Sequence, residues 1–131
     1  MGSRSISEEF LLQPQGRLDL RGGSHLRQQL ETVASQFSKG VHPPRCRKLW
    51  VVDMSHIEFI DSFGLASLVA GLNVATQVGA RLVLCGLRPS AQLVFEITQL
   101  DRAFTIFESY DALLASLEVS TLQSLPTLEV A

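Results

Sequence analysis

Between Ser62 and Ala80 the chain carries no charged side chain for nineteen consecutive residues. A solvated helix in a globular protein usually shows Lys or Glu on its outer face. A stretch without them must hide all its sides or offer one to a partner. The length approaches that of a membrane span, but Ser62, Ser67, Asn73, Thr76 and Gln77 interrupt it and three glycines dilute it. The pattern predicts a helix of a soluble domain that is buried or forms an interface.

A length of 131 residues suffices for one core and not for two. Apolar residues make up 46% and charged residues 18%, which excludes a disordered chain. The net charge of −2 supplies no global field that would draw the chain to nucleic acid or to an anionic membrane. Cys46 and Cys85 stand far apart and outside any CxxC spacing, so they are expected to be free thiols in a reducing compartment. The first residues contain no apolar core of signal-peptide length, and Ile6 stands where a myristoylation signal needs Ser or Thr. The expected location is cytoplasmic, without membrane insertion.

Apolar runs punctuated by Gly and Pro give the element order. Phe10–Gln13 and Leu18–Leu20 flank Pro14-Gln15-Gly16 and suggest strand ends around a hairpin-like turn at a sheet edge. Ser24 is the expected N-cap of a helix carrying Leu26, Leu30, Val33 and Phe37, stopped by Gly40. The loop Val41–Lys48 contains Pro43-Pro44 and, with Lys39, the basic cluster Arg45, Arg47 and Lys48, a solvated loop or an anion contact. Leu49–Val52 is a continuous apolar strand ended by Asp53, and Ile57, Phe59 and Ile60 anchor the next loop. Arg81–Gly86 is another strand, and Pro89 opens a helix through Ala91, Val94, Phe95 and Thr98. Thr105–Phe107 is a short edge strand, and Tyr110, Leu113, Leu114 and Leu117 mark a last helix. The pattern fades beyond Glu118. Right-handed crossovers between successive strands place every helix on the same face of the sheet.

At 100° per residue, Leu65, Leu68, Val69, Leu72 and Thr76 of the uncharged helix should pack on the sheet. Phe63, Ser67, Ala70, Val74 and Val78 then form the opposite, partner-facing side. Ser62 falls at the helix start beside Asp61. That position suits an N-cap, and it also favours added negative charge. His25, His42 and His56 lack metal or catalytic spacing, Ser62 has no base at hand, and Gly22-Gly23 forms no nucleotide loop. No enzyme, cofactor or metal site is expected.

The run Asp53-Met54-Ser55-His56-Ile57-Glu58-Phe59-Ile60-Asp61-Ser62-Phe63-Gly64-Leu65 resembles the STAS family, best known as anti-sigma factor antagonists. Gly16-Arg17-Leu18-Asp19, Gly79–Pro89 and Leu100-Asp101-Arg102-Ala103-Phe104 resemble further family segments in the same order. The resemblance implies a single α/β domain over 10–118, between an N-terminal extension (1–9) and a C-terminal tail (119–131). It implies a mixed, mostly parallel sheet of four to five strands with helices packed on one face. It also implies a non-enzymatic partner switch. A kinase of the ATPase type, itself an anti-sigma factor, phosphorylates Ser62, and a serine phosphatase reverses this. The unphosphorylated form binds the anti-sigma factor and frees a sigma factor. Asp19, Asp53 and Asp61 match acidic positions near that site, in a monomer or homodimer. Phe63 departs from the Ser or Thr common there. Scaffold members of stress-sensing assemblies and transporter subunits are the family's alternatives.

Overall fold

The computed structural model describes the backbone of residues 7–38 and 47–123 and the side chains of 10–35 and 49–117. Strands β1 (Ser7–Leu12), β3 (Arg47–Asp53), β5 (Ala80–Cys85) and β6 (Thr105–Phe107) form one four-stranded sheet in the order β1-β3-β5-β6, all parallel. Strands β2 (Gly16–Leu18) and β4 (Ile57–Ile60) form a separate parallel pair. Helices α1 (Leu20–Ser38), α2 (Ser62–Gln77), α3 (Pro89–Thr98) and α4 (Tyr110–Gln123) complete the domain.

β3 and β5 are apolar at every position of their middles because both of their faces are covered. Trp50, Val52, Leu82 and Leu84 meet Leu26 and Leu30 of α1, Leu68 and Ala75 of α2, and Ala91 and Phe95 of α3. The alternate residues Leu49, Val51, Val83 and Cys85 meet Leu113 of α4 on the other side. The expected one-sided packing therefore holds for three helices and fails for the fourth. α1, α2 and α3 each lie within a crossover between neighbouring parallel strands, whose right-handedness fixes their face. α4 follows the last strand and is bound by no crossover, so it covers the remaining apolar face.

The N-terminal hairpin is also corrected. β1 is an edge strand, but it runs parallel to β3, and the chain leaves the sheet at Gln13 to build the β2–β4 pair instead of turning back on itself. Ile57–Ile60, read as a loop anchor, is that pair's second strand. α1 begins four residues before Ser24. The Oδ1 of Asp19 accepts the Gly22 N–H at 3.1 Å, so Asp19 and not Ser24 caps it. Gly40 and the residues 39–46 of the basic loop lie outside the described residues, as do the side chains of Arg47 and Lys48. Pro89 occupies the first turn of α3 as its fixed φ favours. α4 continues past Glu118 to Gln123.

Candidate functional site

The β2–β4 pair sets the site. Leu18 is paired with Ile60, so the residues that follow, Asp19 and Asp61, leave the two strands side by side. Each caps a helix: Asp19 caps α1, and the Oδ1 of Asp61 accepts the Gly64 N–H at 3.0 Å at the start of α2. The expected N-cap role of Ser62 therefore belongs to Asp61. The serine is the first helical residue and is exposed, and no hydrogen bond holds its hydroxyl among the described residues. Phe63 beside it is 55% exposed, and Leu20 at the start of α1 is 62% exposed. Two helix N-termini, two carboxylates, one free hydroxyl and two apolar side chains thus converge on one corner.

The two helices can start so close together because glycines face each other. A Cβ on Gly23 would overlap the Oγ of Ser67, and one on Gly64 would overlap the carbonyl oxygen of Leu18. Further along, a Cβ on Gly71 would lie 2.5 Å from a methyl of Leu30. Gly64, Leu68, Gly71 and Ala75 are the buried seam of α2. This turns the helix by roughly a quarter turn from the face read in the sequence. Leu65, Val69 and Leu72 are only half-buried and Thr76 is exposed. Of the expected partner face, Phe63 is exposed, whereas Ser67, Ala70 and Val74 are half-buried. Ser67 donates to the Phe63 carbonyl at 3.0 Å and Val74 packs on the core. The outward side is Ser62, Phe63, Ala66, Asn73 and Gln77, still without a charge. Periodicity weighs large apolar residues, and here the small ones mark the contact.

Asp53 stands apart from this corner. It is buried, its Oδ1 accepts the Ser55 N–H at 3.0 Å, and its Oδ2 accepts from Gln13 Nε2 at 3.2 Å. Burial raises its pKa, but the hydrogen bonds from Ser55 and Gln13 outweigh it and leave the carboxyl below the usual 3.8. Through Gln13, Asp53 ties the end of β1 to β3, and what it shows at the surface lines a hollow with Ser55, Gly86 and Arg88, away from Ser62. The Gly22 N–H, aided by Arg17, lowers the Asp19 carboxyl as well.

Sequence reading missed Arg17 and Phe59 at this corner. The Arg17 guanidinium lies 4.1 Å from the centroid of the Phe59 ring, and its Nε is 3.4 Å from the Asp19 Oδ2. Only the parallel register that pairs Arg17 with Phe59 brings them together.

A parallel sheet with three helices on one face, and with the uncharged outer side of one of them ending in an exposed serine, defines a small α/β domain whose distinctive feature is a surface. The chain belongs to the STAS domain family, whose model matches residues 4–113. BtrV of Bordetella bronchiseptica, provisionally named an anti-sigma factor antagonist, is 31% identical over 94 residues, covering 71% of this chain and 76% of that protein. The STAS domain of a Vibrio cholerae SulP transporter superposes with a TM-score of 0.64 at 13% identity, covering 88% and 86% of the two chains. The phosphorylated form of the Bacillus cell fate determinant SpoIIAA superposes with a TM-score of 0.60 at 17% identity, covering 89% and 95%. No helix among the described residues is long and apolar enough to cross a membrane.

Proposed function

We propose that the protein is a cytoplasmic, phosphorylatable anti-sigma factor antagonist that switches partners through Ser62. Its unphosphorylated form binds an anti-sigma factor that is also an ATPase-type serine kinase, and so releases a sigma factor. Phosphorylation of Ser62 blocks that binding, and a serine phosphatase restores it. The observation that carries this reading is the pairing of an exposed, unengaged Ser62 hydroxyl with an exposed Phe63 ring at the head of a charge-free helix face. The resemblance to BtrV supports the partner class.

The physical basis is desolvation. A phosphoryl group adds roughly −1.5 to −2 charge. The helix N-terminus tolerates it within the free domain, while Asp61 and Asp19 repel it. A partner seated on Phe63 must strip water from that dianion. Leaving it unpaired costs several kcal/mol, about a thousandfold in affinity or more. The switch therefore acts at the interface and leaves the fold intact. The test compares Ser62→Ala with Ser62→Asp in binding to the anti-sigma kinase from the same cell. Tight binding by the first and loss by the second supports the switch, and equal binding by both refutes it.

A second reading, a subunit of a larger sensing or transport assembly, draws on another surface. Leu93 and Ile97, one turn apart on the outer side of α3, are 55% and 71% exposed and offer a second apolar contact. Light scattering of the purified protein separates a scaffold from a monomer or dimer.

A further inference from the structure

The corner around Ser62 holds two carboxylates and one engaged cation, and that cation is poorly held. Two contacts fix the Arg17 guanidinium: the Phe59 ring at 4.1 Å and the Asp19 carboxylate at 3.4 Å. Both place it over the β4 side of the strand pair and advanced toward the strand ends, because Asp19 lies two residues beyond Arg17 and follows Leu18, whose register partner Ile60 precedes Asp61. Ser62 is the next residue. The side chains of Arg17 and Asp19 are 63% and 31% exposed, and an ion pair so open to water is weak. Adjacent strands lie roughly 4.8 Å apart, a span an arginine side chain crosses easily.

We infer that Arg17 is the internal counter-ion of phosphorylated Ser62: the guanidinium leaves Asp19 and the Phe59 ring and takes the phosphoryl oxygens. This inference rests on the proposed modification of Ser62 and adds how the domain itself responds. A planar guanidinium binds two phosphoryl oxygens at once and prefers a dianion to a single carboxylate. Arg21 is placed less well. It lies roughly 140–200° around α1 from Leu26 and Gly23, on the far side from α2. The charged groups around Ser62 are then Arg17 of β2, Asp19 between β2 and α1, Arg21 of α1, Glu58 of β4 and Asp61, the cap of α2. Withdrawal of Arg17 bares the face of Phe59. The two phosphorylation states would differ in an aromatic surface as well as in charge, and a phosphatase and a kinase could each read a different one.

The test installs phosphoserine at position 62 during translation, so it needs no cellular kinase. Phosphorus NMR then follows the second ionisation of the phosphate in the wild type, in Arg17→Gln and in Arg17→Lys. A nearby cation favours the dianion. The second pKa is expected to be lower in the wild type by about half a unit than in Arg17→Gln, with Arg17→Lys between them because it keeps the charge and loses the fork. The Arg17 Nε resonance should also shift when phosphoserine replaces Ser62. Equal second pKa values in the wild type and Arg17→Gln, or an unmoved Nε resonance, overturn the inference and leave partner switching standing. A pKa difference accompanied by equal binding of both phosphorylation states to the anti-sigma kinase would do the reverse.

Discussion

The carbonyl of Leu18 accepts the backbone N–H of Asp61 at 3.3 Å, and this bond joins β2 to the head of α2. Asp19 follows Leu18 directly, so one peptide unit connects both helix caps. The same carbonyl oxygen fills the space a side chain at Gly64 would need. The joint that presents Ser62 is therefore made from backbone groups, and it is sensitive to any added volume.

Gly64→Ala should be among the most damaging single changes in the domain. Its new methyl meets the backbone oxygen of Leu18, which cannot move without breaking the β2–β4 pair. Gly71→Ala meets only the end of the Leu30 side chain, which can rotate. Urea unfolding should show a loss of about 3 kcal/mol for the first and about 1 kcal/mol for the second. Equal losses would contradict the assignment.

Capping by Asp61 and the proposed modification of Ser62 are separable at adjacent residues. Asp61→Ala removes the cap of Gly64 and should cost about 1 kcal/mol of stability. Ser62→Ala removes an exposed hydroxyl and should stay within about 0.5 kcal/mol of the parent. Thermal or denaturant unfolding of the two variants checks the order.

Phe63→Asp tests the apolar corner without touching the core. The ring is more exposed than buried, so stability should change by less than about 0.5 kcal/mol. Affinity for the proposed anti-sigma kinase partner should fall at least about tenfold, because a charge would be desolvated in the complex. Unchanged affinity in a titration would remove this face from the interface.

Cys85 gives a pH signature. Burial, with the nearby Asp53 charge, pushes its thiol up to about 11 from an ordinary value of 9.0. The native state thus favours the neutral thiol. That contribution is complete below pH 9 and is lost as pH rises toward 11. In a Cys46→Ser background, the midpoint of unfolding should fall over this interval, and Cys85→Ala should flatten the fall. A thiol reagent at neutral pH should label Cys85 only on unfolding.

At the end of α3, Gln99 adopts a left-handed conformation with φ 63°. Glycine occupies that conformation without the Cβ conflict. Gln99→Gly should raise stability by up to about 1 kcal/mol in urea unfolding, and a loss would mean that the side chain makes a contact that outweighs the strain.

Local chemistry made much of this protein legible. Leu49–Val52 and Arg81–Gly86 announced central parallel strands by continuous apolarity, Pro89 announced a helix start, and the uncharged stretch after Asp61 announced an unusual helix. β4 was harder to see, because four residues with only Ile57 buried carry too little alternation to distinguish a strand from a loop. The start of α1 was hidden by Gly22-Gly23: Ser24 after them read as the cap, but the two glycines lie in the first turn of a helix pressed against its neighbour.

The rest depended on how the elements meet. The sequence by itself determined the element types, the apolar character of α2 and the chemistry available at Ser62. The tertiary structure decided which side of α2 faces outward, since the seam follows the glycines that allow α1 to approach, and hydrophobic periodicity gives glycine no weight. It also decided that α4 crosses to the other face, and that Arg17 comes to rest over Phe59. Parallel strands pair across dozens of intervening residues, so no local spacing in the chain encodes such a contact.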